Sequence, residues 1–133
     1  MWVYEQSTGW MYTGDGVKLA QGYSGSPDAK NDPAKQTIHQ HGPIPMGIYT
    51  ISAPEFTETH GPYVLPLTPD PANEMFGRAG FLIHGDSIKD PGTASEGCII
   101  LPRFARERIW ESGERGLVVV DSVATIQDPE VSV

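Results

Sequence analysis

The sequence predicts a mainly β, sandwich-like domain with one helix late in the chain. Three observations carry this. The 15 glycines and 12 prolines exceed ordinary usage and mark many turns between short strands. Apolar and polar residues alternate, or apolar residues cluster in short runs, over most of the length. One stretch, from Pro102 to Gly113, shows helical spacing instead.

In order along the chain, alternation over Trp2–Gln6 and again over Gly9–Tyr12 predicts a first hairpin with Ser7, Thr8 and Gly9 at its turn. Gly14-Asp15-Gly16 makes a second turn into a strand over Val17–Gly22. Residues 24–43 are polar and turn-rich and read as a long loop, whose length needs a functional or packing reason. Strands follow at Gly47–Ser52, Tyr63–Leu67 and Phe81–His84, with a loop over Thr68–Ala79. Residues 90–94 form a loop, and the CIIL run of 98–101 is another strand. Pro102 suits a first helical turn, Leu101, Phe104, Ala105 and Ile109 supply the apolar face, and Gly113 stops the helix. Leu117–Val120 is a buried strand, and Val123–Ile126 is a strand or no element at all. The organisation is one catalytic-sized domain over residues 1–121 and a C-terminal tail, strand or disordered, over 122–133.

Charge and cysteine count exclude several function classes. Nine basic against 17 acidic residues give a net charge of −8, and no basic tract is available to neutralise phosphates, so nucleic acid is not the partner. Arg106 and Arg108, with Glu107 and Glu111, read as a solvated helix face. No apolar run approaches the length of a membrane span, so no membrane insertion is expected. Residues 2–6 carry neither a basic segment nor an apolar stretch of a cleavable signal. Either the protein is made in the cytoplasm and exported without such a signal, or a longer native chain carried one. A single cysteine, Cys98, excludes an internal disulfide and leaves its thiol free for chemistry.

That cysteine stands 14 residues after His84, in FLIHGDSIKDPGTASEGCIILPR. A free thiol is only a few per cent ionised at neutral pH, and an imidazole beside it can take its proton. The apolar runs FLIH and CIIL read as neighbouring strands that present the two side chains together. A lone cysteine and a lone histidine in apolar runs more often belong to a core. The residues around them decide otherwise.

The block SEGCIIL (95–101) resembles the signature of YkuD-like L,D-transpeptidases, in which an upstream histidine precedes Ser/Thr-His-Gly-Cys. The segment GPIPMGIYTI (42–51) is similar to their Pro-x-Gly-x-Tyr/Phe-x-Ile segment. A closer likeness is to the effectors of this superfamily that type VI secretion delivers, which have Ser-x-Gly-Cys and open with a pattern like Trp2, Tyr4, Ser7, Thr8 and Gly9. The likeness spans roughly residues 1–120.

The resemblance implies the β-sandwich-like L,D-transpeptidase catalytic domain and a peptidoglycan substrate. The bond attacked would be the L,D bond before the terminal D-alanine of tetrapeptide stems. The outcome would be carboxypeptidase cleavage, D-amino acid exchange or 3–3 cross-linking, and an effector toxin would favour the first two. Acting in the target cell's periplasm, it would be delivered by a secretion-machinery component and would need a periplasmic immunity protein in the producer. The competing readings are a housekeeping cross-linking enzyme and a non-catalytic phage or wall-binding module. No cofactor and no metal is implied.

Roles follow by position. Cys98 is the nucleophile and His84 the base. The Gly85 carbonyl, Asp86 or Ser87 orients the imidazole, and the amides of Gly97 and Cys98 aim at the oxyanion. Ser95 braces the loop or touches substrate. Glu96 departs from the histidine of the broader family, and a carboxylate facing the sulfur would oppose thiolate formation. It is expected to point away, as a surface residue or a contact for a cationic group. Ile100 stands where the broader family has Arg or Asn, and Arg103 either replaces that group as a carboxylate anchor or lies on the helix surface. His39, His41 and His60 raise a rival reading, since His39-Gln40-His41 with His84 and Cys98 has adequate spacing for part of a zinc site, but nothing fixes a third and fourth ligand at short range.

Overall fold

A computed structural model describes residues 1–124. Its strands are β1 (Trp2–Glu5), β2 (Trp10–Tyr12), β3 (Lys18–Gln21), β4 (Tyr23–Ser24), β5 (Gly47–Ile51), β6 (Glu55–Thr57), β7 (Gly61–Pro69), β8 (Leu82–His84), β9 (Ile99–Ile100) and β10 (Gly116–Val120). The α-helix α1 (Arg103–Glu111) lies between β9 and β10, and a 3-10 turn occupies Pro33–Lys35. The domain is mainly β, as expected.

The strands form one hydrogen-bonded path in the order β3-β2-β1-β10-β5-β7-β8-β9-β4, with β6 paired to β7. Its two ends, β3 and β4, are separated in sequence only by Gly22. The expected sandwich therefore takes the form of a layer rolled around its core, with the chain crossing from one edge to the other at one residue. Glycine is required there, because a Cβ on Gly22 would lie 1.6 Å from the Ile100 carbonyl oxygen. The long strand β7 turns the sheet. Its C-terminal part pairs with β5 (Ile51↔Leu67), its middle with β8 (Leu65↔Ile83) and its first part with β6 (Glu55↔Val64). Two pairs are parallel, β1 with β10 and β8 with β9, so the sheet is mixed.

Alternation buries one face of each strand: Trp2 and Tyr4, Tyr49 and Ile51, Leu65 and Leu67, and Leu117 and Val119 all enter the core. Each large apolar side chain sealed there contributes roughly 1.5–3 kcal/mol. The carboxylate of Glu5 accepts from Thr8 Oγ1, Tyr12 Oη and the Val123 amide, tying the first hairpin to the end of the described chain.

Several boundaries differ from the sequence expectation. β7 runs on to Pro69, so the loop thought to begin at Thr68 starts at Asp70. The short strands β4 and β6 were not anticipated. Pro102 is the N-cap and not an interior residue of the helix, consistent with its missing amide. Ala105 and Ile109 are buried, but Phe104 is 55% exposed and does not belong to the apolar face. Arg106, expected in solvent with Arg108, is only 6% exposed. It lies on the Ala105 and Ile109 side of α1, where its Nη1 donates to the carbonyls of Pro62 and Tyr63 in β7. Val123 and Ala124 are not in a strand, and residues 125–126 lie outside the described residues.

Candidate active site

The parallel pairing of β8 with β9 sets Ile83 opposite Ile99 and His84 opposite Ile100. Cys98 enters β9 one residue earlier, so His84 and Cys98 alternate onto the same face of adjacent strands. Both line one cleft of about 800 Å³, together with His39, His60, Arg78 and Phe81. The expectation that two neighbouring strands bring the pair together is met.

His84 is 2% exposed. Its Nδ1 lies 2.8 Å from the Gly85 carbonyl oxygen. A carbonyl only accepts, so Nδ1 carries the proton and Nε2 is left with its lone pair. Nε2 is buried without a hydrogen-bond partner among the described residues. The group that orients the imidazole is thus the Gly85 carbonyl. Asp86 and Ser87, the other candidates, are engaged elsewhere: Asp86 accepts from Tyr23 Oη at 2.6 Å and from the amides of Ser87 and Gly92, while Ser87 Oγ accepts from the Asp90 amide. The flat face of the imidazole meets a second ring, His60, with centroids 4.1 Å apart.

No hydrogen bond joins Cys98 to His84 among the described residues; Sγ instead faces the Gly80 carbonyl oxygen at 4.0 Å. Burial pushes the thiol up to about 11; the nearby Leu82 amide and Arg78 pull it down, and Glu96 adds to the rise. Burial brings His84 down to about 4, against the Gly85 hydrogen bond that favours the cation, with the like charges of His60 and Arg106 adding to the fall. At neutral pH the resting pair is therefore an uncharged thiol and an uncharged imidazole, suited to proton transfer during attack and not to a standing thiolate–imidazolium pair.

The loop before Cys98 is held from three sides. Ser95 Oγ accepts from the amides of Gly25 (2.9 Å) and Gly97 (3.0 Å) and donates to the Cys98 carbonyl (2.6 Å). Ser95 is buried and braces the loop, the first of its two expected readings. The same bond turns the Gly97 amide inward, which corrects its expected assignment as an oxyanion donor. Ser24 Oγ donates to the Gly97 carbonyl and accepts from the Ile44 amide. Gly97 has φ 141°, and a Cβ there would lie 2.5 Å from Arg78 Nη2, so only glycine fits.

Arg78 was missed in the sequence, where it sits in a segment read as a plain loop. Its guanidinium donates to the carbonyls of Gln36 (2.6 Å), Pro43 (2.8 Å), Gly42 (2.9 Å) and Glu96 (3.2 Å), joining the long 24–43 loop to the cysteine loop. That supplies a packing reason for the length of the 24–43 loop. His60, singled out in the sequence only with His39 and His41 for the metal reading, instead lies against the His84 ring, and Tyr23, which accepts from the Ala94 amide and ties the 86–94 loop to β4, gave no sequence signal.

The remaining expected residues separate. Glu96 is exposed on the rim of the cleft. Arg103 lies on the helix surface, with Nε 3.2 Å from Glu107 and its guanidinium over the Tyr63 ring, outside the lining of the Cys98 cleft. His39 lines the cleft and hydrogen-bonds the Phe76 carbonyl. His41 faces Asp28 and Ser26, away from the cleft. Among the described residues, no group of three or more His, Cys, Asp or Glu side chains is placed to hold a metal ion.

Comparison with known proteins gives one result. The sequence model of the Tlde1 domain matches residues 18–122, which contain every residue of the cleft. No curated protein and no solved structure matches.

Proposed function

The chain belongs to the Tlde1 domain family of type VI secretion effectors with peptidoglycan-related activity, and from that premise we propose a cysteine L,D-carboxypeptidase and D-amino acid exchange enzyme acting on tetrapeptide stems. The observation that carries the reading is the cleft itself, where a free cysteine and a histidine with an unpartnered Nε2 lie on one face of adjacent strands.

As Cys98 Sγ attacks the carbonyl of the stem's third residue, His84 Nε2 takes the thiol proton. The Gly85 carbonyl stabilises the imidazolium that forms. Collapse of the tetrahedral adduct breaks the C–N bond, and the imidazolium gives its proton to the leaving D-alanine amine. The acyl group is then a thioester on Cys98. Water releases a tripeptide, a free D-amino acid gives an exchanged stem, and a second stem's amine would give a 3–3 cross-link. Depletion of cross-linkable stems by the first two routes suits an antibacterial toxin acting in the periplasm of the cell that receives it. A producer of such a toxin needs a periplasmic immunity protein, and occlusion of this cleft would suffice for protection.

Incubation with purified muropeptides and mass spectrometry should show loss or replacement of the terminal D-alanine, and Cys98→Ala and His84→Ala should each lose nearly all turnover. Untouched muropeptides, with and without added D-amino acids, would leave a non-catalytic wall-binding module as the better reading. Expression directed to the periplasm should be toxic, cytoplasmic expression should not, and Cys98→Ala should abolish the difference.

A further inference from the structure

A second groove, of about 700 Å³, runs beside the catalytic cleft and shares His60, Gly85 and Asp86 with it as a common wall. Its far side is Pro102, Arg103 and Arg106 from the start of α1, and Tyr23 and Ile100 line its floor.

Three features make this groove attractive to an anion. Arg106 is 6% exposed, has no carboxylate partner among the described residues, and leaves its Nε without any partner. Its Nη1 is spent on the Pro62 and Tyr63 carbonyls, whereas its Nη2 lies 3.0 Å from where a Gly85 Cβ would stand, behind the shared wall. The first turn of α1 also faces the groove, with no side chain capping it and no acidic residue in it. An open helix start carries a partial positive charge and unsatisfied amides. Finally, Arg103 brings a second guanidinium to the rim.

Two acids stand nearby and keep their charge, but their oxygens are directed at other partners. Asp86, the acidic residue of the lining, already accepts from Tyr23 Oη, the Ser87 amide and the Gly92 amide. Glu107 pairs with one edge of Arg103 only, through Nε. A buried cation held without a counter-ion is costly, and a site that receives an anion offsets that cost when the ligand arrives.

We propose that the groove between the first turn of α1 and the His60–Gly85–Asp86 wall is a carboxylate-binding subsite, in which Arg106 and Arg103 hold the carboxylate of a ligand that reacts at Cys98. The inference rests on the proposed stem-peptide chemistry and names where that substrate's charge is read. The carboxylate comes either from the stem being cleaved or from the incoming amino acid, and the two sources separate in the test.

Binding of the tetrapeptide stem to the Cys98→Ala protein, measured by calorimetry, reads the subsite without turnover. Against it are set stems whose carboxylates are converted one at a time to carboxamides. Loss of one guanidinium–carboxylate contact should weaken binding about tenfold. Arg103→Gln and Arg106→Lys, each in the Cys98→Ala background, should show the same weakening toward the native stem and little further loss with the critical carboxamide. Arg103→Gln keeps the test alive if the buried Arg106 variant fails to fold. If the charge belongs to the acceptor, stem affinity stays constant and KM for the free D-amino acid rises instead in the exchange assay, with kcat little changed. Stem affinity and acceptor KM both within twofold of wild type in both folded variants would overturn the proposal. Wild-type protein that binds stems with this dependence but never cleaves them would overturn the activity reading alone.

Discussion

Removing the guanidinium of Arg78 should separate the mechanical support of the site from its electrostatics. Arg78→Met keeps most of the side-chain volume while deleting a fork that donates to four carbonyls at 2.6–3.2 Å. Hydrogen bonds from a charged donor contribute about 1.5–3 kcal/mol each, but four to one group do not add. The bonds to Pro43 and Gly42 are buried, and each acceptor left unsatisfied there costs about 1–3 kcal/mol, so a total loss of about 3–5 kcal/mol is expected. For a domain of this size that is a fall in Tm of about 10–20 °C.

The second effect is on the thiol. Arg78 is a positive charge that pulls the Cys98 thiol down against its burial, so its loss should move the pH profile of Cys98 alkylation upward. Arg78→Lys retains the charge and loses the fork. It should therefore melt between the other two proteins while titrating near wild type. Melting curves and alkylation rates across pH measure both quantities on the same samples. An Arg78→Met protein that melts within about 3 °C of wild type, with an alkylation profile superimposable on it, would refute the reasoning, because a loss that small falls within about 1 kcal/mol.

Two further outcomes follow from the charges at the site. His84 is neutral when folded and has its pKa lowered to about 4, so the unfolded chain binds the extra proton first as pH falls. Stability should drop by about 3 kcal/mol between pH 7 and pH 4, through the window from the unfolded value near 6.5 downward, and His84→Gln should flatten that slope in denaturant titrations. Glu96→Gln removes a like charge that raises the Cys98 thiol. Alkylation should then shift to lower pH by less than one unit, since the carboxylate is exposed. A larger shift would mean that it faces the sulfur.

The resemblance of SEGCIIL singled out Cys98 and His84, and the apolar runs around them made their placement legible. FLIH and CIIL could only be buried strands, and two short strands joined by a polar loop in a small domain have few places to go except side by side. The Gly85 carbonyl was one of three named candidates, and only geometry could choose, since a backbone acceptor looks the same at every position. β4 and β6, at two and three residues, are too short to show a period. The arginines failed for a more instructive reason. Arg106 was read with Glu107 and Glu111 as part of a solvated helix face, and Arg78 was not read at all, because no neighbouring residue type points to the acceptors that either one finds. Their acceptors are carbonyls of residues 36, 42, 43, 62, 63 and 96, supplied by the fold and invisible to residue type. A guanidinium bonded only to neutral carbonyls keeps its full charge. Arg78 stands behind the cysteine loop and Arg106 behind the histidine's anchoring glycine, so each wall of the cleft is backed by an uncompensated cation. Under the proposed chemistry these cations would face anions that come and go, a thiolate or oxyanion at Cys98 and a ligand carboxylate beside α1. On that proposal the field around the site is set for the reacting state, not the resting one.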